Sequence, residues 1–146
     1  MKVGFIGLGN VGAKLAGSLL RNNIDLTVHD LNEKLVKEFA GRGAKAAKDP
    51  AQMMRECDAV ITCLPSPAAS DAVMQQMLGE VGSGKIWMEM STTDETEVKR
   101  LGAMVMERGV QPLIALCRVD ATGRRPATFR SLPDVTVRLL SALPQC

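Results

Sequence analysis

The 146 residues, 46% hydrophobic and 23% charged, have the length and make-up of one globular domain and exclude a disordered or fibrous chain. A net charge of +2, with 3 Phe, 1 Trp and no Tyr, leaves no basic stripe interleaved with aromatics and argues against nucleic acid as a partner. No apolar run approaches the roughly 20 residues of a membrane helix, and the opening Met1-Lys2-Val3-Gly4-Phe5-Ile6 is broken by glycine, so neither a membrane partner nor a secretion signal is expected.

Residues 2–7 are a short apolar run ending in glycine, the pattern of a buried strand. Val11, Leu15 and Leu19, four apart, predict a helix over 10–22. Leu26 and Val28 mark a second strand at 25–30, and Asn32 is placed to cap a helix that Gly41 and Gly43 end. A weak third strand falls at 44–46, and Pro50 opens a short helix to 56. Residues 58–64, D-A-V-I-T-C-L, make the clearest strand of the chain, followed by a helix over 67–78 with Val73 and Met77 on one face. A strand at 85–90 and a helix at 93–108 complete the series, with Thr92 and Glu95 at capping-box spacing. This alternation predicts the α/β class, with a doubly wound, mostly parallel sheet covered by helices on both faces.

Gly7-Leu8-Gly9-Asn10-Val11-Gly12 is G-x-G-x-x-G. Alone the pattern is weak. Here it follows a strand, opens a helix, and is followed by Asp30 at the end of the next strand, which is the full context of a Rossmann dinucleotide site. Gly7 allows the tight turn, Gly9 lets the backbone approach a pyrophosphate, and Gly12 lets the helix pack closely. The helix N-terminus offers N–H groups and positive dipole to the phosphates. Asp30 can accept from ribose hydroxyls and would repel a 2′-phosphate, so NAD is expected over NADP; the absence of Arg at 31 and 32 agrees. A glycine-rich turn without a ligand and a methyltransferase are the competing readings, and Gly12 argues against the second.

Two other segments fall at carboxyl ends of strands, where ligands of such sheets bind: Leu64-Pro65-Ser66-Pro67 and Ser91-Thr92-Thr93. Their hydroxyls could meet the nicotinamide ribose or carboxamide; the plainer readings are a proline-stiffened loop and a helix cap. His29, the one histidine, reads as packing at the adenine edge rather than as a catalyst, and the charges from Asp94 to Arg100 as a solvated helix face. Cys57, Cys63, Cys117 and Cys146 contain no C-x-x-C pair, so no metal site is expected and the thiols read as reduced, in the cytoplasm. With no tyrosine, a Tyr-Lys dehydrogenase mechanism is impossible, and a histidine–aspartate pair is disfavoured.

G-F-I-G-L-G-N-V-G at 4–12, C-L-P-S-P at 63–67 and M-S-T-T-D-E-T at 90–96 resemble, in order, three cofactor segments of the β-hydroxyacid dehydrogenases, the family of 3-hydroxyisobutyrate, tartronate semialdehyde and 6-phosphogluconate dehydrogenases. Val11 stands where the family usually has Met. The resemblance covers about residues 1–110 and implies NAD-dependent oxidation of a 3-hydroxyacid, with Leu64, Pro65 and Thr92 joining Gly7, Leu8, Gly9, Asn10, Val11, Gly12 and Asp30 as cofactor contacts. It also implies a P-V-S-G-G substrate loop and a catalytic lysine in a following helical domain. Neither is present, so no catalytic residue is assigned. The expectation is a cofactor domain over 1–110 that lacks the family's helical domain, is inactive alone, and self-associates through apolar surface meant for that domain. The alternative is a noncatalytic nucleotide-binding or interaction module; a hydroxyacid substrate would belong to full-length relatives.

From Gln111 onward Lys, Glu, Met and Asn vanish and Arg takes over at 118, 124, 125, 130 and 138. Residues 111–146 therefore read as an atypical, loosely ordered tail. Legitimate codons for residues 113–136, read two bases on, give D-C-P-V-S-G-G-C-H-R-A-A-T-G-N-I-S-I-F-A-G-C-D, which is similar to the missing substrate loop and its sequel. Most first and second codon bases are fixed by the protein, so the tail reads as a frameshift of a family gene or a sequencing error in one, with natural divergence as the alternative.

Overall fold

A computed structural model describes residues 1–91 and 95–114. Thr92, its cap to Glu95, and the tail beyond 114 lie outside the described residues. Among the described residues six strands and five helices alternate: β1 (Lys2–Ile6), α1 (Asn10–Arg21), β2 (Asp25–His29), α2 (Glu33–Gly41), β3 (Lys45–Ala46), α3 (Pro50–Glu56), β4 (Ala59–Thr62), α4 (Pro67–Met77), β5 (Ile86–Glu89), α5 (Glu95–Met106) and β6 (Gln111–Ile114). A 3₁₀ turn at Leu78–Glu80 continues α4.

All pairings are parallel, in the order β3-β2-β1-β4-β5-β6. This is the doubly wound Rossmann order, with its reversal between β1 and β4. Period-2 alternation sorts the side chains of each central strand between two cores. Val3 and Phe5 of β1, Ile61 of β4 and Met88 of β5 meet Leu15 and Leu19 of α1 and Phe39 of α2 on one face. Ile6, Val60 and Trp87 meet Met53 of α3, Met74 of α4 and Leu101 of α5 on the other. β4 and β5 are buried along their whole lengths, which is why they read as continuous apolar runs.

The sequence reading contains no strand at 111–114. β6 is hidden by Pro112, which lacks the N–H a central strand needs. It is tolerated because, among the described residues, β6 is the edge strand: Gln111 N–H donates to the Lys85 carbonyl at 3.0 Å, and by alternation the Pro112 nitrogen faces away from β5. On the surface, Arg100 of α5 pairs with Glu97 and with Asp71 of α4, so part of the face read as merely solvated joins two helices. Among the described residues no helix is long and apolar enough to cross a membrane.

The register aligns the carboxyl ends of the strands. Ile6 stands beside His29 and Thr62, and Thr62 beside Glu89. Gly7 N–H donates to the His29 carbonyl (3.1 Å), Cys63 N–H to Ile6 (2.9 Å) and Met90 N–H to Thr62 (2.8 Å). The first residues after β1, β2, β4 and β5 thus emerge on one edge, at the reversal of strand order.

Candidate functional site

The glycine loop is built by close approach. Gly7 has φ +96°, and a Cβ there would stand 2.2 Å from the Cys63 carbonyl oxygen, so this turn admits no side chain. A Cβ on Gly12 would lie 1.9 Å from the Gly7 carbonyl oxygen and 3.3 Å from Phe5 Cε1 of β1, which fixes the first turn of α1 against the loop and the sheet. Gly9 differs from both: a Cβ there meets no protein atom within 4 Å. Its side-chain position is open space beside the helix N-terminus.

That terminus carries no side-chain cap. The next three helices are capped: Asn32 accepts from Lys34 N–H at the start of α2, Asp49 from Gln52 N–H at α3, and Ser66 from Ala69 N–H at α4. The first-turn N–H groups of α1 therefore face the open space at Gly9 with the positive end of the helix dipole behind them. Asn10 and Val11 are exposed there, whereas the Leu8 side chain lies in the core and brings only its backbone to the edge.

Asp30 holds a position that sequence alone does not reveal. One carboxylate oxygen accepts from Leu8 N–H at 2.6 Å, the other from Asn32 N–H at 2.7 Å. The residue pins the glycine loop to the turn after β2. A carboxylate offers about four lone-pair sites, so acceptor capacity remains for a ribose. His29 turns its Nδ1 toward the Ala47 carbonyl at 3.2 Å; a carbonyl only accepts, so Nδ1 carries the proton and the ring faces the β3 side.

Across the reversal point, Leu64 is half-buried and Pro65 exposed. Leu64 N–H donates to Ser91 Oγ at 2.7 Å. Ser91 is buried, and its hydroxyl ties two loops together. Ser66, likewise, is occupied as the cap of α4. Beneath these loops lies a group the sequence reading did not single out: Glu89, 2% exposed. Its Oε2 accepts from the Thr62 hydroxyl at 3.0 Å and its Oε1 from Ser91 N–H at 2.8 Å. Trp87 Nε1–H donates to the same Thr62 oxygen at 3.0 Å. Burial pushes the Glu89 carboxyl up, against the opposing pull of the Ser91 and Thr62 donors. The Ser70 hydroxyl, also buried, adds a weaker donor pull that lowers this carboxyl, although its Oγ lies outside full hydrogen-bond geometry. Cys57 and Cys63 form no disulfide, and burial raises the Cys57 thiol.

Comparison with known proteins agrees with this geometry. Residues 2–115 match the family described as the NAD binding domain of 6-phosphogluconate dehydrogenase. The mitochondrial 3-hydroxyisobutyrate dehydrogenase of Rattus norvegicus is 32% identical over 126 residues, which cover 80% of this chain and 38% of the relative. The cytokine-like nuclear factor N-PAC of Homo sapiens is 32% identical over 111 residues, 74% of this chain and 20% of the relative. Among solved structures, 3-hydroxyisobutyrate dehydrogenase of Mycobacterium tuberculosis superposes with a TM-score of 0.74 at 23% identity, covering 78% of this chain and 39% of that one. An imine reductase of Myxococcus stipitatus in complex with NADP+ superposes at 0.73 and 17% identity, over 78% of this chain and 40% of its own; a variant in complex with NAD+ does so at 0.72 and 17%, over 77% and 39%. The likeness to these structures is one of fold. The chain spans about two-fifths of the length of the dehydrogenases it matches.

Proposed function

Because the chain belongs to the family of NAD-binding domains of 6-phosphogluconate dehydrogenase, we propose that it holds NAD across the carboxyl edge of its sheet. The pyrophosphate would lie at Gly9 and the N-terminus of α1, the adenosine ribose at Asp30, and the nicotinamide half over Leu64 and Pro65, with Thr92 added on sequence grounds. The observation that carries this reading is the open space at Gly9 beside an uncapped twelve-residue helix, framed by two glycines whose Cβ atoms would collide with backbone. The residues fit the cofactor: N–H donors and helix dipole face its phosphates, and a carboxylate faces its ribose. NAD is preferred over NADP on the Asp30 charge and the lack of Arg at 31 and 32. The test is a titration of NADH fluorescence with wild type and Gly9→Val. Wild type should bind and the variant should lose about 100-fold, since the new side chain occupies the phosphate's place. Equal affinities would place the nucleotide elsewhere.

When bound, NAD supplies a hydride acceptor; the family resemblance makes the donor carbon that of a 3-hydroxyacid. In that reaction these residues bind and orient. None of the eight lysines stands on the loops after β4 or β5: Lys85 lies at the opposite end of β5, where its Nζ donates to the Arg55 and Cys57 carbonyls. This placement favours a second reading, that the chain binds nucleotide without turnover. NAD reduction assayed with 3-hydroxyisobutyrate and glycerate on a sample of measured NADH affinity separates the two, since robust turnover overturns the noncatalytic reading. A reducing compartment such as the cytoplasm is proposed on the cysteine pattern alone.

A further inference from the structure

β5 is an apolar strand with one charged residue in it. Ile86, Trp87 and Met88 are core, and Glu89 follows them into full burial at the carboxyl end of the strand. Burying a carboxylate costs several kcal/mol unless its lone pairs are met. Both oxygens are met, by donors from two different strands: the Thr62 hydroxyl at the end of β4 and the Ser91 amide just past β5. The Thr62 hydroxyl is itself oriented. The Trp87 indole N–H occupies its oxygen, which turns its proton to Glu89. The Ser91 side chain passes the constraint outward, because its oxygen receives the amide of Leu64 from the neighbouring loop.

We propose that Glu89 is a positioning residue which, through Thr62 and Ser91, holds Leu64, just past β4, and Ser91, just past β5, in one fixed relation and thereby sets the affinity for the nicotinamide half of the dinucleotide. This deepens the NAD reading above and rests on it. A hydrophobic residue would fill the core at lower cost, but it would leave the Ser91 amide without its acceptor and the Thr62 hydroxyl with the more distant Met88 carbonyl at 3.5 Å. The two halves of the site are separable here. The glycine loop and Asp30 are braced by contacts of their own at 2.6–2.7 Å. Gly7 does pack against the Cys63 carbonyl and the Leu64 side chain, but the hydrogen-bond path from Glu89 runs through Ser91 to the Leu64 amide and does not touch the Asp30 brace.

The experiment compares NAD with ADP-ribose, which lacks the nicotinamide, by calorimetry on the whole chain, with the Leu64 amide followed by nitrogen-15 NMR without ligand. A carboxamide keeps one acceptor oxygen where the carboxylate has two, so Glu89→Gln must turn an NH2 toward Thr62 or Ser91. Glu89→Gln should lose about tenfold in NAD affinity, keep ADP-ribose affinity, and shift the Leu64 amide. Ser91→Ala, a smaller change, should reproduce all three effects and keeps the test decisive should the first variant fold poorly. A merely structural role lowers both affinities together or neither. Equal losses for both ligands, or an unmoved Leu64 amide, would overturn the proposal while leaving the NAD reading intact. Wild type binding neither ligand would overturn that reading and this inference with it.

Discussion

The carboxyl edge of this sheet has two halves that are built in different ways. On the β1–β2 side the site is local. Gly7, Gly9, Gly12 and Asp30 lie within one strand–helix–strand unit, and the collisions awaiting a Cβ at Gly7 and Gly12 involve the loop itself, Phe5 of β1 and the adjoining Cys63 carbonyl. On the β4–β5 side the site is assembled at a distance. Leu64 and Ser91 are 27 residues apart, as are Thr62 and Glu89, and no spacing rule joins either pair. The first half binds by leaving backbone donors uncovered; the second is held by covering a buried acid with donors. A dinucleotide site therefore combines a motif that can be read along the chain with a brace that exists only once the sheet has formed.

The largest effect should come from the collision in the local half. Gly12→Val places a side chain on the Gly7 carbonyl and should destabilise the domain by about 3 kcal/mol, with loss of nucleotide binding, in urea melts and titrations. Gly9→Val sharpens the contrast: the same new side chain, placed in open space, should leave the urea midpoint nearly unchanged. A strongly lowered midpoint would mean that the space is filled by protein.

Asp30 should give an intermediate effect with two parts. Asp30→Ala leaves the Leu8 and Asn32 amides without their acceptor, which should cost about 1–2 kcal/mol of stability. It also removes the charge that opposes a 2′-phosphate, so the ratio of NAD to NADP affinity should fall about tenfold. A stability loss with an unchanged ratio would leave Asp30 as a loop brace alone.

The smallest effect is a pH dependence in the assembled half. Burial holds the folded Glu89 carboxyl above its ordinary range, so its contribution to stability is complete below that range and is lost as the pH rises through the raised folded value. The stability of wild type relative to Glu89→Gln should therefore be greatest in acid and shrink toward neutral pH. A difference that grows with pH would mean that the site prefers the charged form.

How much of this was legible in the sequence follows from the same contrast. Pro50 at the first turn and Asp49 before it fix α3 at Pro50–Glu56, as read from the proline alone. Asn32 caps α2 as expected. The glycine motif and Asp30 stood out because their spacing is set by one βαβ unit. β6 did not, because a proline in a four-residue run argues against a strand until its place at the sheet edge is known. Glu89 did not, because a single acid at the end of an apolar strand looks the same whether it meets water or Thr62. For Ser91 the sequence leaves ligand contact and a structural role open, because a hydroxyl past a strand end has no visible direction in sequence; in the structure it is buried.

The central claim is that a dinucleotide lies on the N-terminus of α1 with Asp30 selecting its ribose. Competition calorimetry of NAD against NADP on the 146-residue chain tests it most directly. One site per chain is expected, with NAD bound more tightly, and both affinities lowered about 100-fold in Gly9→Val. Tighter binding of NADP would contradict the role of Asp30, and undiminished binding to Gly9→Val would contradict the site itself.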